Sequence, residues 1–146
     1  MNVAQLAVNL GTLGYPCKVG LPLSYFQIRG CFIDARGPLE ISASSVWGFE
    51  VRVYTESHDI STGKVGATVP YGVVVEDGAW IGSHSVLAGC KIGKGAVVAA
   101  GTVVRGQTVA PGVMVAGNPA RVVARWNGAE WAPVDAAICG FERMLA

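Results

Sequence analysis

A branched aliphatic residue returns about every six positions between Val75 and Val109, and no common element of secondary structure has that period. An α-helix repeats its apolar face every ~3.6 residues and a half-buried strand about every two. Read in sixes, the stretch runs Val75-Glu76-Asp77-Gly78-Ala79-Trp80, then Ile81-Gly82-Ser83-His84-Ser85-Val86. A five-residue unit, Leu87-Ala88-Gly89-Cys90-Lys91, follows. The sixes then resume with Ile92-Gly93-Lys94-Gly95-Ala96-Val97 and Val98-Ala99-Ala100-Gly101-Thr102-Val103. A repeat this short predicts one brief strand and one tight turn per unit, with the aliphatic inward and slim residues at the corners. Three units, about 18 residues, would close one triangular coil, and coils would stack as parallel strands. The missing residue between Ile81 and Ile92 stands out as a local deletion.

Bulk properties agree with a packed stack. Hydrophobic residues make up 51% of the 146 and charged ones 14%, which supplies an interior, and 20 glycines are too many for a helical bundle. The formal charge of +1 offers no attraction to nucleic acid or to an anionic membrane. No apolar run approaches the roughly 18–20 residues of a membrane span, and no basic stretch precedes an apolar one at the N-terminus. These features lead to the expectation of a soluble, cytoplasmic protein. Cys17, Cys31, Cys90 and Cys139 are scattered without a CxxC pair, so buried thiols are expected rather than zinc ligands or disulfides.

Taken in order, residues 1–24 read as an N-terminal cap. Val3, Leu6, Ala7 and Leu10 suit a short apolar helical face, and Gly11, Gly14, Pro16 and Gly20 end it. Residues 25–125 read as the solenoid, with Tyr25–Ile33 as an irregular strand pair and Ile41, Trp47 and Val53 at repeat positions. The period fails over about 55–72, a polar, glycine-containing excursion that holds His58, one of only two histidines. A long segment of this kind inside a regular stack points to function. Residues 126–146 read as a helical cap, with a short helix over 133–145 whose Ile138, Phe141, Met144 and Leu145 share one face.

The hexads, Thr55-Glu56-Ser57-His58-Asp59, Trp80-Ile81-Gly82-Ser83-His84 and Val115-Ala116-Gly117-Asn118-Pro119-Ala120-Arg121 together resemble the hexapeptide-repeat acyltransferases over about residues 28–125. The nearest branch is that of the maltose and galactoside O-acetyltransferases and the sugar-modifying enzymes of surface polysaccharide synthesis. The resemblance implies an all-β fold, a left-handed parallel β-helix with an excursion loop and a short C-terminal helix. It implies a homotrimer with active sites between neighbouring subunits, acetyl-CoA as donor substrate, a saccharide or small-molecule acceptor, and no metal.

It also implies site residues. His58 would be the general base for direct attack of an acceptor hydroxyl on the thioester, work that suits an imidazole near neutrality. Gly82 and Ser83 would lie by the thioester and help hold the oxyanion. Trp80 would pack near the pantetheine, the Ala100 backbone would bond it, and Arg105 and Arg121, with Arg125 behind them, would meet the nucleotide phosphates. Asp34 would lie on the acceptor side, and His84 would be a surface or interface residue. An amine acceptor, on an aminosugar or xenobiotic, and a non-catalytic assembly module are the competing readings. A β-helix carbonic anhydrase needs three metal-bound histidines, and only two exist.

Overall fold

The computed structural model describes residues 15–135. It is a parallel β-helix of three faces. The first face stacks Cys17–Val19, Leu39–Ile41, Val73–Val75, Lys91–Ile92 and Thr108–Val109. The second stacks Val46–Trp47, Trp80–Ile81, Val97–Val98 and Val113–Ala116. The third stacks Phe32–Ile33, Arg52–Tyr54, Val86–Ala88 and Val103–Arg105. Within these stacks every neighbouring pair is parallel.

Strand register turns the sequence period into columns. Ile41, Val75, Ile92 and Val109 lie above one another on the first face. Trp47, Ile81, Val98 and Val115 do so on the second, and Ile33, Val53, Leu87 and Val104 on the third. All twelve side chains are buried. Each column residue meets its neighbour about 4.8 Å away in the next coil, so one buried residue per strand, aliphatic in every case but Trp47, lines the prism.

The coil is 17 residues long, as the pairing of Ile92 with both Val75 and Val109 shows. The expected 18 overlooked a regular feature. The corner from third face to first is one residue short both at Leu87 to Ile92 and at Val104 to Val109. The deletion is therefore a property of that corner and no local defect. Gly89 and Gly106 stand there with φ of 54° and 61°, which permits the tighter turn. A Cβ on Gly89 would also fall 2.2 Å from the Tyr71 ring, which packs onto it.

At this same corner, one coil earlier, Glu56–His58 and Thr68–Pro70 form an antiparallel two-stranded sheet of their own. The segment expected as an irregular excursion is thus a hairpin.

Three expectations change at the ends. Strand Cys17–Val19 joins the first face ahead of residue 25, where the solenoid was expected to start. Tyr25–Ile33 is not a strand pair: Leu23–Ile28 is an α-helix, followed by strand Phe32–Ile33. Helix α1 (Leu23–Ile28) takes the place of a second-face strand in the first coil, because Phe26 is buried edge-on against Trp47, centroids 5.3 Å apart. At the other end, Arg121–Trp126 turns back antiparallel on Val113–Ala116, and Trp131–Pro133 pairs with it. Pro133 therefore closes a strand where a helix was expected to begin. The rest of that helix, like the apolar face over residues 3–10, lies outside the described residues. Cys31 and Cys90 are buried and free, Cys17 is partly buried, and Cys139 is outside the described part. Burial pushes the Cys90 thiol up to about 12, which makes it inert.

Candidate active site

His58 ends the first strand of the hairpin and pairs with Thr68. Its ring is exposed, and Nδ1 lies 3.1 Å from the Gly66 carbonyl oxygen. A carbonyl only accepts, so in the neutral ring Nδ1 carries the proton and Nε2 keeps its lone pair. That tautomer leaves Nε2 free to take a proton. Asp59 shapes the turn behind it: Asp59 N donates to Ala67 O, Gly66 N donates to Asp59 O, and Ser61 N donates to the Asp59 carboxylate. The last of these bonds comes first among the causes that lower the Asp59 pKa.

The hairpin is fastened at its base by Thr55, which is fully buried. Its hydroxyl donates to Asp34 O at 2.9 Å and accepts from Gly37 N at 2.8 Å. Its carbonyl accepts from both Tyr71 N and Gly72 N. Threonine ahead of the histidine is therefore a structural tie between the hairpin and the 34–37 turn.

Asp34 lies in that turn, and both carboxylate oxygens are taken by Arg36, Oδ1 by Nε at 2.8 Å and Oδ2 by Nη2 at 2.9 Å. With its side chain only 2% exposed, Asp34 has little surface to offer an acceptor directly. Arg36 Nε also lies 2.7 Å from Glu56 Oε1, in the hairpin strand. The bond to Asp34 is the largest of the causes raising the Arg36 pKa. Sequence reasoning named Asp34 and missed Arg36 and Glu56. The only signal was an Asp-x-Arg spacing, which is common in turns.

Gly82, Ser83 and Ala100 belong to a different corner, from second face to third. Here three coils stack backbone on backbone. A Cβ on Gly82 would fall 2.5 Å from Ala100 N, and one on Gly48 would fall 2.5 Å from Ser83 N. Ser83 Oγ accepts from Phe49 N at 3.0 Å, and Ser83 O accepts from Gly101 N at 2.9 Å. Accepting from Phe49 leaves the Ser83 hydroxyl proton to be donated elsewhere. Trp80 leads into the corner, pairs with Val97 and points outward beside buried Ile81, with 54% of its surface exposed. Gly82→Ala is expected to cost about 1–3 kcal/mol, because the new methyl meets backbone that cannot yield. Urea unfolding would measure it, and a change under ~0.5 kcal/mol would mean the coils separate more easily than drawn.

His84 sits at this corner in the left-handed conformation (φ 60°), as Glu50 does one coil below (φ 55°), and its Nδ1 lies 3.0 Å from Glu50 Oε2. Both are exposed, which fits a surface role. Arg105 ends a third-face strand and is exposed. Arg121 follows a loop that stacks on the same strand, with Ala120 N donating to Val103 O, and its Nη1 donates to Ala120 O. Arg125 is exposed in the closing hairpin.

One chain therefore gathers Trp80, Gly82, Ser83 and Ala100 at one corner, with Arg105 and Arg121 toward the end of the stack. His58 stands off another corner. A groove of about 560 Å³ runs along the first face, lined by Lys18, Glu40, Val74, Lys91 and Thr108 among others, and touches neither group. Among the described residues no three His, Cys, Asp or Glu side chains gather to hold a metal ion. No described helix is long and apolar enough to cross a membrane.

Residues 72–106 match the bacterial transferase hexapeptide family (six repeats). That stretch carries the hexapeptide repeat of this family. Compared with curated proteins by sequence, the chain has no match. Among solved structures it is similar to a hexapeptide-repeat acetyltransferase from Vibrio cholerae, with 35% identity and a TM-score of 0.56 over 64% of this chain and 54% of that one. The Vibrio cholerae protein complexed with acetyl-CoA aligns at 32% identity and a TM-score of 0.54, covering 64% and 52%. A maltose O-acetyltransferase from Clostridium difficile aligns at 29% identity and 0.55, covering 60% and 48%. The chain thus spans about half the length of these relatives.

Proposed function

We propose that this chain is an acetyl-CoA-dependent O-acetyltransferase that acts on a hydroxyl of a sugar or sugar-like acceptor, with His58 as general base. The observation that carries the reading is the His58 bond to Gly66 O, which leaves Nε2 unprotonated and open to solvent. In the proposed step Nε2 takes the acceptor hydroxyl proton as that oxygen attacks the thioester carbonyl. The C–S bond then breaks, and the CoA sulfur leaves with the proton returned from the imidazolium. No acyl-enzyme is needed.

The Ser83 corner is read as the donor side. Ser83 has a hydroxyl proton to give to the developing oxyanion, Gly82 beside it lets the coils close up at the thioester end, and the Ala100 backbone bonds the pantetheine arm. Trp80 offers an apolar wall, and Arg105 and Arg121 are the cations for the nucleotide phosphates. Asp34 supports the acceptor side from beneath, through Arg36. The acetyl-CoA-bound Vibrio cholerae relative supports the choice of donor.

His58 and Ser83 stand off different corners, so the reading requires a second copy to bring them together. Exposed apolar side chains support this: Ile60, Val65 and Val69 on the hairpin, and Val46, Phe49 and Trp80 at and before the other corner. Two unlike patches that fit each other close a cyclic ring. We read that ring as a homotrimer of left-handed helices, working in the cytoplasm.

The test is thiol release from acetyl-CoA with a panel of maltose, galactose, glucose and glucosamine, with the product analysed by mass. Acetylated sugar stable to hydroxylamine would indicate an amide and overturn the O-acetyl reading. No thiol release with any sugar, together with no thermal stabilisation by acetyl-CoA, would overturn the enzyme reading altogether.

A further inference from the structure

The proposed base sits on a hairpin that has no sheet to lean on. Among the described residues Glu56–His58 pairs only with Thr68–Pro70, and a lone two-stranded ribbon is marginal in water. Thr55 fastens the base of the hairpin to the coil, and the strand beyond that base needs a hold of its own. The second attachment is Arg36. Its guanidinium grips Asp34 through Nε and Nη2 and reaches Glu56 with Nε. Glu56 and His58 are two residues apart on one strand, so they project to the same face. Whatever holds Glu56 therefore decides which way His58 points.

The burial pattern marks this as a built site. The side chains of Asp34 and Glu56 are 2% and 5% exposed, while Arg36 is 51% exposed and bridges them from the solvent side. Two carboxylates withdrawn from water need a shared cation, and without it their repulsion and desolvation would drive them apart. Asp34 is tied into the coil, its N–H donating to Val53 O and its carbonyl accepting from the Thr55 hydroxyl. Glu56 can move, and it would carry the His58 strand with it.

We propose that Arg36 is a positioning residue which, by clamping Glu56 of the hairpin to Asp34 of the coil, sets the place at which His58 meets its acceptor. This rests on the reading of His58 as the base. It explains why a hairpin without a sheet can hold a base steadily, and why an almost fully buried aspartate lies beneath the acceptor side without an open oxygen. A lysine at position 36 would supply the charge but not the fork that spans both carboxylates.

The test uses the full chain with Arg36→Gln, Arg36→Lys and Glu56→Gln. The first readout is the ¹⁵N signal of the His58 ring, separated from the one other histidine by His84→Gln. The wild type should show Nδ1 protonated and Nε2 bare, and Arg36→Gln and Glu56→Gln should relax toward the tautomer mixture of a free imidazole. The second readout is turnover on the sugar that responds best in the panel above. There kcat should fall about 10- to 100-fold with the KM for acetyl-CoA unchanged, and Arg36→Lys should recover part of it. A folded Arg36→Gln protein that keeps the wild-type ring signature and kcat within about twofold would overturn the proposal. Should Arg36→Gln fail to fold, Glu56→Gln decides on the same two readouts, since it leaves the Asp34–Arg36 pair intact. If the wild type transfers no acetyl group, the functional reading fails alone, and the nitrogen signals still decide whether Arg36 orients His58.

Discussion

His58→Ala is expected to lower turnover by about 10²–10⁴-fold, the usual worth of a positioned general base, while acetyl-CoA binding stays unchanged. The expectation separates because His58 acts on the acceptor hydroxyl, while the proposed donor contacts come from another corner of the coil. His58 hangs from the short corner between third and first faces, whereas Trp80, Ser83 and Ala100 lie at or beside the corner between second and third. Stability should also hold, since the His58 ring is exposed and bonds a loop carbonyl. Single-turnover thiol release and calorimetric titration with CoA would measure the two effects separately. His58→Gln sharpens the result. Glutamine can still bond Gly66 O but cannot take a proton, so it should be as inactive as alanine. An alanine variant with turnover within tenfold of wild type would remove His58 from the base role and leave the donor corner standing.

The period of six revealed the column residues almost completely, because one buried aliphatic per strand is all that a three-faced coil asks for. Val75, Ile81, Leu87, Ile92, Val98 and Val104 are each fully or almost fully buried, as the pattern requires. The missing residue was harder to interpret from one example. Only register, pairing Ile92 with Val75 and with Val109, turned it from a deletion into a recurring short corner.

The site was legible in parts. His58 was marked by the place where the period fails, and the Gly82–Ser83 corner by small residues at a fixed phase. The Arg36 clamp was hidden because it joins a turn to a strand 20 residues away, and pairwise partners at that separation leave no periodic trace. Helix α1 was hidden for a related reason. Its six residues are too few to display an apolar period, and Phe26 and Tyr25 read equally well as strand residues. What makes the segment helical is tertiary: an oversized residue beneath it.

Trp47 is that residue, and Trp47→Ala is expected to destabilise the chain by about 3–5 kcal/mol, the cost of emptying a large buried ring. At the equivalent level of later coils the column holds Ile81, Val98 and Val115, all smaller. Trp47 packs beneath the helix that stands in the first coil where later coils have a strand. Its indole N–H donates to Ser45 Oγ at 2.9 Å, and its ring receives Phe26 edge-on. Its backbone is held from the helix side too: Trp47 N donates to Tyr25 Oη at 3.0 Å, and Arg29 Nε donates to Trp47 O at 3.0 Å. Arg29 in turn lies 3.7 Å above the Tyr25 ring, a cation–π contact that tightens the same cluster. Alanine at 47 would leave Phe26 facing a void and release the helix from the stack, so the loss should appear first in hydrogen exchange over residues 23–33. Trp80→Ala is the informative contrast. Trp80 occupies the outward position beside Ile81, so its removal should leave stability within about 0.5 kcal/mol, because no cavity forms at an exposed site. Its effect should fall on acetyl-CoA affinity instead. Near-equal stability losses for the two tryptophans would mean that α1 does not seat on Trp47.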